Sequence, residues 1–342
     1  MGSQFVTGDT THRKVSTLAI VGAFAAIYIL WGSTYVFIKF GVETIPPFFM
    51  AGARHLIAGG VLYAWVRLRG GEAPTVVHWG SAAVLGALML FGGNGGVTWA
   101  EQRVPSGLAA LVVGTVPLWM ALLDWVRPGG VRPGPRVAAG LIMGFAGVAL
   151  LVGPARLAGG SRIDPIGAAV LVAASLSWAI GSLYSRRAPL PKSLVQGIAI
   201  QSLAGGTLLF LVGLLGGEAA RLHIEAVSVK SLLSVVYLAV FGSIVGFTCY
   251  IWLLRVVTAA RASTYAYVNP IVALLLGWAL AGESISLRTT IAAVVIVLGV
   301  VLIVSQQKTP VSKPNSAQAL AGKVPAIANG HAREHVEEAL TH

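Results

Sequence analysis

Residues 31–60 read WGSTYVFIKFGVETIPPFFMAGARHLIAGG, and residues 178–206 read WAIGSLYSRRAPLPKSLVQGIAIQSLAGG. Trp31, Lys39 and the pair Gly59-Gly60 of the first stretch return in the second as Trp178, Arg186 and Gly205-Gly206. Farther along, Gly93, Trp99, Pro117, Trp125 and Gly147 return as Gly246, Trp252, Pro270, Trp278 and Gly299. The offset is 147 residues at the first tryptophan and 153 from Gly93 to Trp125, so insertions fall between apolar runs while the runs stay aligned. Each copy holds five such runs. Because five is odd, the second copy enters a bilayer from the face opposite to the first, as in many carriers with inverted repeats. The expectation is an all-α polytopic membrane protein of ten transmembrane helices, arranged as two inverted five-helix repeats.

Composition agrees. The 342 residues are 56% hydrophobic and only 11% charged, where a soluble chain carries roughly a quarter charged residues. Forty-two glycines fit helices that approach closely in lipid. A net charge of +12 could invite nucleic acid, but the basic residues are scattered among short loops and form no contiguous footprint, so none is expected. Cys249 is the single cysteine, which rules out an intrachain disulfide.

Runs near the roughly 20 residues that cross a bilayer fall at 16–37, 47–66, 79–100, 105–126 and 136–152, then at 165–185, 194–215, 231–253, 260–281 and 289–305. None alternates polar with apolar, so helices are expected and not barrel strands. The division is a cytoplasmic N-terminal segment over 1–15, a first repeat over 16–152, a second over 165–305, and a polar, disordered cytoplasmic tail over 306–342. The first run has the basic lead and Ala23-Phe24-Ala25 of a cleavable leader. Its alignment with the sixth run argues that it is retained. With the N-terminus inside, 16 Lys and Arg fall on inner segments and 7 on outer ones. By the positive-inside rule both termini are cytoplasmic.

Polar residues inside these runs are the candidate site. Arg54 lies within the second run, where a charge is costly unless it faces protein or water. It reads either as a cation lining a solute cavity or as a structural arginine that bonds backbone carbonyls or reaches outward to Glu43. His55 is either a structural hydrogen-bonding group or a proton-coupling site. Asn94 sits in Gly92-Gly93-Asn94-Gly95-Gly96, where glycines permit local unwinding or tight packing. Tyr265, Tyr267 and Asn269 precede Pro270, and positions 265 and 269 share a helix face. Trp31 and Trp178 stand halfway along their runs, so they line the cavity or pack. Lys39 and Arg186 fall at opposite membrane faces as paired gates or as helix-end charges. Pro117 and Pro270 are matched helix breakers.

Leu30-Trp31-Gly32-Ser33-Thr34, then Lys39, Pro46-Pro47 and Arg54 resembles the first helix pair of EamA-type permeases of the drug/metabolite transporter superfamily. Ser177-Trp178-Ala179, Tyr184, Ser185-Arg186, Asn269-Pro270 and Gly282-Glu283 resemble the second EamA domain, and the likeness covers about residues 17–305. It implies a ten-helix, multi-pass carrier of the inner (plasma) membrane that exports amino acids, other metabolites or drug-like molecules. The first copy departs from this pattern: Arg127-Pro128-Gly129-Gly130 stands where Glu283 falls in the second. Uptake, or exchange of phosphorylated sugars, is the alternative within transport. An intramembrane enzyme would need a nucleophile and base at depth, and only His55 is a histidine within a run. No Walker A sequence or cluster of metal-ligand spacing occurs, so no cofactor and no metal are expected. The partners expected are a small-molecule substrate and the lipid bilayer, with monomer and homodimer both open.

Overall fold

The computed structural model describes residues 16–128, 132–152, 164–257 and 264–305. The N-terminal segment 1–15 and the tail 306–342 lie outside the described residues, and so does Gly130. Among the described residues all regular structure is helical. The chain forms α1 (Thr17–Gly41), α2 (Pro47–Leu68), α3 (Val76–Ala100), α4 (Ser106–Val126) and α5 (Pro135–Val152). It continues through α6 (Pro165–Ser185), α7 (Leu194–Leu215), α8 (Val229–Tyr237 onward to Val256), α9 (Tyr265–Ala281) and α10 (Leu287–Val304). Eight of these hold stretches long and apolar enough to cross a membrane. The other two are α2, which carries Arg54, His55 and Arg67, and α9, which has 17 residues.

Two helices are not uniform. In α3 the segment Gly86–Gly95 is π-helical, and in α8 so is Leu238–Val245. The glycine run around Asn94 is therefore wound, with wider turns, rather than unwound. A third helix, α4, breaks into Ser106–Val113 and Val116–Val126, with Pro117 the second residue of its second half. Its mate Pro270 lies buried inside the continuous α9.

The helix starts explain the loops. An α-helix begins with four backbone N–H groups that lack partners, and Thr75, Asp164, Ser193, Ser228 and Ser286 cap α3, α6, α7, α8 and α10 with their own side chains. The residues before α2 and α4 are Pro46 and Pro105, which have no such group. Distant carboxylates serve instead. Glu218 accepts from Phe48 N at 3.2 Å and Phe49 N at 2.8 Å. Glu283 accepts from Ser106 N at 2.6 Å and Gly107 N at 3.0 Å. Each glutamate follows a glycine in the left-handed region, Gly217 (φ +73°) and Gly282 (φ +64°). Only glycine holds that conformation without strain, and it turns the chain back off the ends of α7 and α9.

Packing pairs helices from the two halves of the chain. α2 lies antiparallel to α7, with Phe49 stacked on Phe210 and Gly59 against Leu203. α4 lies antiparallel to α9 through Gly107 against Leu274 and Gly114 against Pro270, and α5 to α10 through Gly140 against Ile303 and Gly147 against Ile296. α1 runs antiparallel to α8 and parallel to α9, while α6 packs on α3 and α4.

Candidate functional site

Two clusters hold most of the polar and aromatic candidates. The first is aromatic and centres on Trp31, midway along α1. Its ring lies 4.9 Å from Tyr265, 5.1 Å from Tyr250 and 5.5 Å from Phe247, all in edge or tilted contact. Its Nε1 donates to Gly242 O at 3.0 Å, within the π-helical segment of α8. A π turn leaves a carbonyl without its usual i+4 donor, and the indole supplies one. Across the bundle, Ser177 Oγ donates to Leu88 O at 2.7 Å in the π segment of α3. The neighbouring Trp178 lies against Gly93, where a Cβ would stand 2.8 Å from Cε3. A Cβ at Gly246, the repeat mate of Gly93, would fall closer still to Trp31 Nε1. Each matched indole therefore seats on the matched glycine of the opposite half.

The second cluster is polar. Arg54 is 4% exposed and His55 and Glu101 are wholly buried. His55 Nε2 donates to Asn94 Oδ1 at 3.4 Å, so the structure joins two of the residues singled out from sequence. Lys39 Nζ donates to the Glu101 backbone carbonyl at 3.0 Å. Arg54 Nε and Nη1, and both carboxylate oxygens of Glu101, are buried without a hydrogen-bond partner. The two groups lie within each other's electrostatic field without closing an ion pair. Glu43, the outward partner considered for Arg54, pairs instead with Lys230 at 2.6 Å. Glu101 stands one residue past the end of α3. Burial holds its carboxyl well above the usual carboxylate range; Glu283 adds to this, while Lys39 and Arg54 oppose it.

The other candidates disperse. Asn269 is buried on the face of α9 that meets Gly32 of α1, with its Oδ1 unpartnered. Tyr267, two residues from Tyr265 and so about 200° around the helix, packs against the main core and not against Trp31. Arg186 caps the end of α6 and is exposed, whereas Lys39 is tied into the polar cluster. Glu101, Glu218 and Tyr250 carry no local signal that marks them as site residues. A carboxylate at a helix end is ordinarily solvated, and only the neighbours of Glu101 from α1 and α2 show that it is enclosed.

Apolar helices of membrane length, with buried charges between them and π turns braced from the opposite half, describe an integral membrane protein. The chain belongs to the EamA-like transporter family, which matches residues 17–153 and again 165–305. It is a membrane transporter of the drug/metabolite superfamily. It is 44% identical over 287 residues, 84% of this chain and 90% of the relative, to the Uncharacterized inner membrane transporter YedA of Escherichia coli (strain K12). It is 25% identical over 285 residues to the Uncharacterized transporter YvbV of Bacillus subtilis (strain 168), covering 83% of this chain and 91% of that one. A crystal structure described only as that of a protein superposes with a TM-score of 0.55 at 26% identity, covering 83% of this chain and 96% of its own.

Proposed function

We propose that this transporter is a secondary carrier of the inner membrane that exports a small organic solute by alternating access. In this reading its ten helices are two inverted five-helix repeats, and both termini are cytoplasmic. The observation that carries it is the reciprocal seating of Trp31 on Gly246 and Trp178 on Gly93. The wider packing supports the same relation. Exchanging the halves turns the pair α1 and α8 into α6 and α3, turns α1 and α9 into α6 and α4, and returns α2 with α7, α4 with α9 and α5 with α10 to themselves. Two such bundles can rock about a shared site, which is how inverted-repeat carriers alternate. The excess of Lys and Arg on the inner segments supports this orientation.

The solute would lie between the two clusters, with its charged end near Arg54 and Asn94 and an apolar or aromatic part against Trp31, Tyr250 and Tyr265. In this reading Trp178 and Asn269 would border the solute, while Tyr267, which packs against the main core, would stand apart from it. Amino acids, related metabolites and drug-like amphiphiles fit such lining; a phosphorylated sugar would call for more than one free cation.

Flux of a panel of amino acids and organic cations into proteoliposomes tests this. At least one solute should move only across a sealed membrane, and Arg54→Ala and Asn269→Ala should lower that flux without lowering the amount of protein in the membrane. Undiminished flux in both variants would take these residues out of the site. Accessibility labelling that put residues 130 and 283 on the same side would remove the inverted repeat.

A further inference from the structure

The carboxyls of the described residues sort by what satisfies them. Glu43 pairs with Lys230 and Asp124 with Arg127. Asp164 caps α6, Glu218 caps α2 and Glu283 caps α4. Glu72 and Glu225 are exposed. Glu101 alone among them is fully buried with neither oxygen in a hydrogen bond. The charged and titratable groups that face it are Tyr35 and Lys39 from α1, Arg54 from α2, and Glu283 from the segment after α9. Beside it on its own segment, Arg103 turns away to Asp164 at 3.5 Å. Lys39 holds the backbone carbonyl of Glu101 and not its carboxylate. Arg54 is the one cation of the set with two buried donors still unused.

A buried carboxylate without a partner is far more costly than either a buried acid or a buried, bonded ion pair. In the conformation described, Glu101 has no pair. From this geometry we infer that Glu101 is a proton-binding site: it carries a proton here and releases it when Arg54 reaches its carboxylate in the alternate conformation. The step balances simply. The O–H bond of the acid breaks, the proton passes to water on the side then open, and the freed oxygen accepts an N–H of Arg54. Return of the arginine to its present place takes up a proton. The conformational cycle would thereby be coupled to a proton gradient, an inference that rests on the carrier reading above. His55, the residue put forward from sequence for this role, adjoins Arg54 and would place a second positive charge beside the guanidinium.

Infrared spectroscopy of the purified protein in lipid, titrated over pH with no solute added, tests this. A protonated carboxylic acid has a carbonyl stretch that its ionised form lacks. The wild type should keep such a band at neutral pH, where exposed carboxyls have lost theirs, and Glu101→Gln should remove it. Should that variant not fold, Glu101→Asp serves, since the altered acid moves the band in frequency. Arg54→Gln should raise the titration midpoint by about one unit or more, and Glu283→Gln should lower it. No band at neutral pH in the wild type, or its survival in Glu101→Gln, overturns the proton site. An unmoved midpoint in Arg54→Gln overturns the exchange with arginine. None of these readings needs a transported solute, so a failed flux panel and an ionised Glu101 are separate results.

Discussion

The two ends of the bundle are built from matched helices but fastened differently. Where α2 and α4 begin, Glu218 and Glu283 reach over from the other half of the chain and take two backbone N–H groups each. The sequence positions aligned with them are Gly71, which lies at the opposite end, and Gly130, which is outside the described residues. At that opposite end α7 is capped by its own Ser193, and the cross-half bond is the Gln196 amide to the Glu72 carbonyl. Among the described residues, the starts of α2 and α4 are held by charge-assisted bonds and the start of α7 by neutral ones. The family matches both halves, and the glutamates at 218 and 283, against glycines at 71 and 130, make the two matches unequal. Under the proposed rocking mechanism, such an inequality would favour closure of the face with the glutamates.

The strongest test of that contrast is to remove the clasps. Glu218→Ala and Glu283→Ala should each destabilise the protein by about 2–3 kcal/mol, because a hydrogen-bonded charge is lost and two orphan N–H groups are left behind. Thermal unfolding in detergent, read by intrinsic fluorescence, checks this. A shift no larger than that of Ser193→Ala would erase the distinction between the ends.

Midway between the ends the halves should behave alike. Gly93→Ala and Gly246→Ala each push a methyl into an indole, and overpacking of this kind costs about 1–3 kcal/mol. Losses that match within about half a kcal/mol would show that the asymmetry is confined to the ends. A large loss in one variant and none in the other would show that it runs through the middle as well.

Glu101 adds a pH signature to the clasped end. Its carboxyl is raised in the folded state, so the folded protein binds this proton more tightly than the unfolded chain. The stability this confers is full below the ordinary carboxylate value of about 4.3 and is lost as pH rises through the folded value. Against Glu101→Gln, wild-type stability should therefore fall across that window by at most about 1.4 kcal/mol per pH unit. Parallel curves for the two proteins would contradict the raised carboxyl.

The features legible in the sequence are those carried by local chemistry. Apolar runs gave the helices, whereas the lack of caps at Pro46 and Pro105 shows only in the structure. Which groups complete those starts was not legible, because Glu218 and Glu283 lie 169 and 177 residues from the amides they accept from. The glycine run at 92–96 signalled a weakened helix, but the π turns depend on donors from Trp31 and Ser177 in the opposite half. Counting along the helix grouped Tyr265 with Asn269 and could also have set Tyr267 apart. Glu101 was hidden by its position: at a span end a carboxylate is ordinarily solvated, and only the closing of α1 and α2 over it makes it buried.

On the unclasped end the expected effect is smaller. Ser193→Ala removes one side-chain cap from α7, for which helix N-caps typically lose about 1 kcal/mol. An effect equal to that of Glu283→Ala would mean that neutral and charged caps hold the two ends alike.

The smallest effect expected comes from an ion pair at the clasped end itself. Lys230 Nζ lies 2.6 Å from Glu43 and over the Phe40 ring at 4.3 Å, but both charged side chains are about half exposed. Exposed pairs contribute roughly 0–1 kcal/mol and are screened by salt. Glu43→Gln should therefore change stability by about half a kcal/mol or less, and the difference should vanish in molar salt. The cation stays over the ring in that variant, which leaves the aromatic contact in place. If Glu43→Gln cost as much as Glu283→Ala, this end would owe its strength to surface charge and not to carboxylates set on helix termini. Salt would then destabilise the protein, whereas the buried clasps predict a stability indifferent to ionic strength.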